Sequence, residues 1–270
     1  MYAFGKLLHL VQNTMNNNET GWLSEIFSSV QGEGLYVGQK QTFLRFVGCN
    51  IKCAFCDTPG AGLSYDIRSN TTSCEIKNEF GGKVADNLIN PISVEKLLEI
   101  CLLFNNKSIS LTGGEPLLYV EFLNPLIDVL KEYGFSIHLE TNGTLPEELS
   151  LIVDKCDVIA MDIKLPSHVS GINDSLQIET HWQNQQRFLE IANKTDVFVK
   201  VVVCEPSKDN EFQKAVEIIE KVDSSIPLVI QPVSGSNNAL PHLINFYDLA
   251  QSKLANVRII PQCHKVLGVL

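Results

Sequence analysis

The sequence predicts an α/β fold, a partial TIM-like barrel of about six parallel strands joined by crossover helices, and three observations carry that expectation. Apolar runs of strand length recur along the chain with helix-length segments between them, no Pro/Gly/Ser-rich linker interrupts the series, and nearly every run ends in a polar or glycine-rich motif. Strand followed by helix, repeated, is the pattern of a parallel sheet with crossovers, and six such units fall short of the eight that close a full barrel.

The strands are expected at residues 42–47, 108–111, 136–139, 158–163, 197–203 and 228–231, each apolar enough to be covered on both faces. Helices are expected between them. Residues 93–104 open on Ser93 with Glu95 in the first turn, 124–133 stop at Gly134, and 146–155 begin with Pro146. Residues 182–192, 210–222 and 240–254 continue the alternation. Residues 1–20 end in the polar run Asn16-Asn17-Asn18-Glu19-Thr20 and read as an N-terminal extension, leaving 21–270 as one domain. Within it, 59–91 are rich in Gly, Asn, Ser and Thr and break the rhythm, as a lid or a variable insertion would.

Composition narrows the function. A chain of 270 residues with 44% hydrophobic content can bury a large core. A net charge of −10 without any Lys/Arg-rich run argues against nucleic acid as a partner and for a small molecule. No apolar run reaches the roughly 18 residues a membrane helix needs and the N-terminus lacks a signal-peptide pattern, so a cytoplasmic protein without membrane association is expected. In a reducing compartment eight cysteines are not expected to form disulfides, and a tight group of them points to metal or redox chemistry.

The chemistry gathers where the strands end. Gly48-Cys49 follows the first strand, Thr112-Gly113-Gly114-Glu115-Pro116 the second and Glu140-Thr141-Asn142-Gly143-Thr144 the third; Asp162 and Lys164 end the fourth, Glu205 follows the fifth and Gln231-Pro232 end the sixth. In parallel α/β folds that edge holds the active site. Cys49, Cys53 and Cys56 form CxxxCxxC, and three thiolates on one short loop can hold three corners of a [4Fe–4S] cube while leaving the fourth iron open. A structural zinc is the alternative; it needs four closed ligands, and Cys74 or a distant His would have to supply the fourth without the usual paired spacing. Gly113 and Gly114 suit close approach of backbone to a ligand, although a Gly-Gly-Glu-Pro turn is also ordinary between strand and helix.

The cysteine triplet followed by Thr-Gly-Gly-Glu-Pro resembles the radical S-adenosylmethionine (SAM) superfamily. Further segments resemble its 7-carboxy-7-deazaguanine synthase family: Ser24-Glu25-Ile26-Phe27-Ser28-Ser29-Val30-Gln31-Gly32-Glu33-Gly34, then Arg45, Cys56-Asp57-Thr58, Met161-Asp162-Ile163-Lys164 and the terminal Pro261-Gln262-Cys263-His264-Lys265. The likeness runs from about Gly21 to Leu270. It implies a radical SAM core, a homodimer, a [4Fe–4S] cluster, SAM and Mg2+ as cofactors, and an electron donor such as a flavodoxin or ferredoxin. The implied reaction turns 6-carboxy-5,6,7,8-tetrahydropterin into 7-carboxy-7-deazaguanine with release of ammonia, in 7-deazapurine biosynthesis of the queuosine type.

By that resemblance Cys49, Cys53 and Cys56 hold the cluster and Thr58 offers a hydroxyl to Mg2+. Val30, Gln31 and Gly32 would read the pterin edge, Thr112 would touch the substrate, and Arg45 would pair with its carboxylate, the alternative for Arg45 being an ion pair with a neighbouring strand or helix. Gly114 and the stretch Asp162, Ile163, Lys164 would meet SAM; many members carry Ser-Pro-Lys there, so the first two side chains depart from the pattern while backbone contacts survive. Glu33, Glu115, Glu140 and Asn142 are expected to support these groups, and His264 and Lys265 to close the barrel mouth. Cys101, Cys156 and Cys204 read as small apolar residues of the core. Two readings stay open beside this one: a superfamily relative acting on another heterocycle or activating a glycyl-radical enzyme, and a non-catalytic metal-binding protein.

Overall fold

A computed structural model describes residues 20–58, 72–77, 80, 83–204, 207–234 and 240–270; residues 1–19 of the expected extension and 59–71, 78–79 and 81–82 of the expected insertion lie outside the described residues. All six expected strands form: β3 (Lys40–Phe46), β7 (Ser108–Gly113), β8 (Ser136–Thr141), β9 (Val158–Asp162), β10 (Asp196–Val203) and β11 (Leu228–Pro232). They lie side by side in that order, all parallel. A seventh parallel strand, β12 (Val257–Ile259), extends the row beyond β11; three residues are too few to give a periodic signal.

At the other end β2 (Leu23–Val30) pairs antiparallel with β3, so the stretch that the motifs identify is itself a strand. A hairpin, β4 (Ser73–Lys77) and β5 (Val84–Ile89), then adds to β2 and completes an open ten-stranded sheet. The expected partial barrel is therefore present, unclosed. Thr20 belongs to the ordered fold, since β1 (Thr20–Gly21) pairs with β6 (Ile92–Ser93).

Helices α1 (Val94–Phe104), α2 (Val120–Glu132), α3 (Pro146–Ser150), α4 (Ser175–Ala192), α5 (Asp209–Asp223) and α6 (Leu240–Gln251) fill the crossovers, and α7 (Cys263–Leu267) ends the chain. None of the described helices is long and apolar enough to cross a membrane. Four boundaries differ from expectation by three residues or more, the sixth helix ending at Gln251 rather than 254. The second helix starts at Val120 rather than 124 and tolerates Pro125 inside it, since the carbonyl four residues back belongs to Glu121, exposed where water can satisfy it. The third ends at Ser150, and residues 153–155 form a separate 3-10 turn. The fourth begins seven residues early, at Ser175, on a capping box in which Asp174 accepts from the Gln177 backbone and Gln177 reaches back; its first turns lack the apolar period that marks a buried face.

Side-chain parity on the strands divides core from site. Successive residues of a strand point to opposite faces. Ile109, Leu111, Ile137, Leu139, Ile159, Met161, Val199, Val201, Leu228 and Ile230 are buried against the helices. The alternate positions face inward. Val158, Phe198 and Val229 form a small inner cluster with Leu35 and Tyr36 that plugs one end of the barrel, and Arg45, Thr112, Glu140, Asp162 and Lys200 stand above it around a cavity.

Candidate active site

The cavity measures about 550 Å³ and is lined by side chains from eight strands and the C-terminal segment. Of the residues singled out in the sequence, Val30, Gln31, Gly32, Arg45, Cys49, Cys53, Cys56, Thr58, Thr112, Gly114, Asp162 and Lys164 line it together. Ile163 does not: it is 1% exposed in the outer core, as parity requires of the residue between Asp162 and Lys164, and its N–H is bonded to the Lys200 carbonyl at 2.9 Å.

Three loops brace the cysteine loop. From β7, the Gly114 N–H donates to the Phe46 carbonyl (3.1 Å) and the Glu115 N–H to the Gly48 carbonyl (2.9 Å). A Cβ on Gly114 would lie 1.9 Å from the Gly48 oxygen, so this position excludes a side chain because of the cluster loop itself, a different reason from approach to a ligand. From β8, the Asn142 amide donates to Asn50 (2.9 Å) and approaches the Cys49 sulfur at 3.6 Å, while the Asn50 amide donates to Thr144 (2.8 Å). After β9, the Ala54 N–H donates to the His168 carbonyl (2.9 Å) and the Ser170 N–H to the Lys52 carbonyl (2.9 Å). Glu115, fully buried, locks two of these loops to each other, accepting from the Leu117 N–H, the Asn142 N–H and the Thr141 hydroxyl.

All eight cysteines are free thiols, and three of them suit an iron–sulfur cluster. A [4Fe–4S] cube takes its thiolates on separate corners, so three cysteines on one loop suit it without converging on a single ion. Cys74, the candidate fourth zinc ligand, is buried in the core and does not line the cavity. Burial pushes the Cys49 thiol up to about 11, so a bound iron would have to supply the charge that favours the thiolate. Cys101 and Cys156 are buried in the core, while Cys204 is half-buried beside Ser207 and His168 rather than packed within it.

The polar wall opposite the cysteines is one connected network. Glu140 accepts from Gln31 (2.8 Å) and Ser110 (2.6 Å) on one oxygen and from Thr112 (3.0 Å) on the other. The Gln31 backbone is already bonded to Gln39 and Gly38, so only its side chain and its neighbours remain to read a ligand. Asp162 pairs with Lys164 (2.7 Å) and Lys200 (3.2 Å) through one oxygen; its other oxygen is buried without a partner among the described residues, as is the Gln231 side-chain oxygen, and both residues line the cavity. Such orphan acceptors fit a bound ligand that carries donors. Arg45 pairs with Glu25 at 2.5 Å, the strand ion pair that was its alternative reading, yet still faces the cavity.

The C-terminal segment closes one side. The Cys263 N–H donates to the Gly32 carbonyl (2.8 Å), and Gly32 has no room for a side chain because the His264 ring lies against it. Gln262 donates to Glu33 (2.7 Å) and Asp57 (3.1 Å), and Lys265 donates to Asp57 (3.0 Å), tying the cluster loop to the chain end. Lys200, Lys77 and His138 were not singled out from the sequence, and Gln262 was named only within the terminal motif, without a role.

Glu33 and Lys200 form an ion pair whose side chains are only 20% and 15% exposed. Burial raises the Glu33 carboxyl, but Lys200, with Gln262 and Gln231, outweighs it and holds the group at about 2. A carboxyl held below its ordinary 4.5 contributes stability that is present above pH 4.5 and lost as pH falls toward 2. Lys200→Met, which strands the carboxylate, is expected to cost about 3 kcal/mol in denaturant titration at neutral pH, with the deficit shrinking as the pH is lowered through that window. A loss under about 1 kcal/mol at neutral pH contradicts the pairing.

The radical SAM superfamily matches residues 44–219. The chain is 40% identical over 92% of its length to 7-carboxy-7-deazaguanine synthase of Geobacter sulfurreducens, of which the match covers 97%. It is 35% identical over 91% of its length to the enzyme of the same name from Methanopyrus kandleri, covering 93% of that protein. Its fold is similar to the crystal structure of QueE from Escherichia coli, with a TM-score of 0.59 and 23% identity over 91% of this chain and 95% of that one.

Proposed function

Because the chain belongs to the 7-carboxy-7-deazaguanine synthase family of the radical SAM superfamily, we propose that its cavity binds the cluster, SAM and an anionic pterin side by side, in the roles that follow. The enzyme converts 6-carboxy-5,6,7,8-tetrahydropterin to 7-carboxy-7-deazaguanine with release of ammonia, and a [4Fe–4S] cluster and SAM are its cofactors. When bound, the cluster supplies the electron that cleaves SAM and so generates the radical that takes hydrogen from the substrate.

The chain's own residues bind, orient and shield. Cys49, Cys53 and Cys56 would hold three irons of the cluster and leave the fourth for SAM, which the Gly113–Gly114 loop and the Asp162–Lys164 stretch would help to bind. Asp162 offers its free oxygen to a donor on the ligand. Thr58, at the cavity wall, would offer a hard hydroxyl ligand to Mg2+. Val30, Gln31 and Gly32 read the pterin edge, Thr112 orients it beside Glu140, and Arg45 takes its carboxylate with the planar fork that suits a carboxylate. His264 and Lys265 exclude water at the C-terminal side. A homodimer, a flavodoxin or ferredoxin as donor, and a cytoplasmic location complete the reading; eight free thiols agree with a reducing compartment.

One observation carries these assignments: the three thiols, the Gly113–Gly114 loop and Arg45 face a single cavity. The test is Arg45→Ala in steady-state turnover. KM for the carboxytetrahydropterin is expected to rise roughly 10- to 100-fold with a smaller change in kcat, the worth of one charge-assisted contact. An unchanged KM rules out Arg45 as the carboxylate partner.

A further inference from the structure

The hairpin β4–β5 brings one cation into the cavity, and its position bears on how the site recognises charge. Glu25 on β2 lies directly opposite Arg45 on β3 and beside Glu75 on β4. Its carboxylate is shared. One oxygen accepts from Arg45 Nε at 2.5 Å, and the other takes the ammonium of Lys77, at the end of β4. Glu25, Arg45 and Lys77 all line the cavity, with side chains 13%, 21% and 17% exposed, whereas Glu75, 3.6 Å from the same ammonium, is 47% exposed at the rim.

Glu25 binds Arg45 through Nε alone. The two terminal nitrogens of the guanidinium have no hydrogen-bond partner among the described residues, and the group lies 5.4 Å from the centre of the Phe27 ring, which is stacked on Phe43. The fork is therefore fixed in orientation and free at the end that matches a carboxylate. Orientation alone is not enough. Arg45 and Glu25 together are neutral, and an incoming carboxylate would meet the Glu25 charge within a few ångströms of the guanidinium. Lys77 removes that obstacle by neutralising Glu25. Burial raises the Glu25 carboxyl, but Arg45 and Lys77 together outweigh it and bring it below the ordinary carboxylate range, so the trio carries a net positive charge.

We propose that Lys77, contributed by the β4–β5 hairpin, is a substrate-selecting residue: by neutralising Glu25 it leaves Arg45 a net positive charge with which to recognise an anionic pterin over an uncharged one. The inference rests on the pterin reading given above and deepens it. Nothing in the CxxxCxxC or Gly-Gly-Glu-Pro motifs carries it, because Lys77 lies in the stretch between the cysteines and the second parallel strand.

The test is calorimetric binding of two stable pterins, 6-carboxypterin and 6-hydroxymethylpterin, to the anaerobically reconstituted enzyme with SAM. Wild-type protein is expected to prefer 6-carboxypterin. Lys77→Met is expected to weaken 6-carboxypterin about tenfold and 6-hydroxymethylpterin far less, erasing the preference. Lys77→Arg keeps it. The double variant Glu25→Gln/Lys77→Met recovers most of the lost affinity, since a neutral Glu25 replacement no longer needs its cation. A Lys77→Met protein that weakens both pterins equally, or a double variant that recovers nothing, overturns the selecting role and makes Lys77 a packing residue. Wild-type enzyme that binds neither pterin overturns the pterin reading itself, and the role of Lys77 with it.

Discussion

Gly114→Ala is expected to lose SAM binding by about 100-fold or more, with SAM cleavage falling to background. The added methyl would stand 1.9 Å from the Gly48 carbonyl oxygen and 2.5 Å from its carbon, both backbone atoms that no rotamer change can move. Either the Gly113–Gly114 loop or the cysteine loop must shift, and the two are joined by the Gly114 and Glu115 N–H bonds. Overpacking of this kind costs about 3 kcal/mol. It falls on the two loops that must present the open iron and the SAM site together. Equilibrium dialysis with SAM checks the outcome, with circular dichroism to show that the sheet persists. Unimpaired SAM binding means that the loops separate freely and do not act as one frame.

Cys53→Ala is expected to reduce iron and sulfide after reconstitution well below wild type and to bring 5′-deoxyadenosine formation to background, because two thiolates on this loop cannot hold a cube that three define. Cys101→Ala is the matched control. That thiol is fully buried in the outer core on α1, does not line the cavity, and its loss is expected to leave cluster content intact at a stability cost of about 1 kcal/mol. Equal loss of iron in both variants would point to general unfolding. Full iron content in Cys53→Ala would remove that residue from the cluster.

The parallel row was legible because its strands are buried on both faces: 158–163 and 197–203 read as near-continuous apolar runs whichever way their side chains point. What such runs hide is parity. Lys200 interrupts Val197–Val203, and a lone cation in a strand otherwise apolar on both faces is costly unless paired. That signal was present and indicates an inward position, but not that Glu33, 167 residues away, supplies the partner. Arg45 and Glu25 are a similar case. Their pairing depends on the antiparallel register of β2 against β3, which a parallel-barrel expectation does not include.

Lys77 was out of reach for another reason. Its stretch has the composition of a loop, and only the addition of β4 to the free edge of β2 carries its side chain to the cavity. Ile163 shows what a resemblance carried over one residue at a time leaves open: just past β9 the alternation of the strand sends its side chain into the core, so only its backbone faces the expected role. Gly114 was identified with an incomplete reason, since its crowding by Gly48 is a tertiary contact between two strand-end loops.

The most direct test is a single anaerobic incubation of reconstituted enzyme with 6-carboxy-5,6,7,8-tetrahydropterin, SAM, Mg2+ and a chemical reductant, followed by mass spectrometry for 7-carboxy-7-deazaguanine and a parallel assay for ammonia. Product and ammonia are expected in equal amounts, dependent on all the added components. Cluster-loaded enzyme that cleaves SAM yet forms no deazaguanine from this pterin at any enzyme concentration would contradict the assigned reaction.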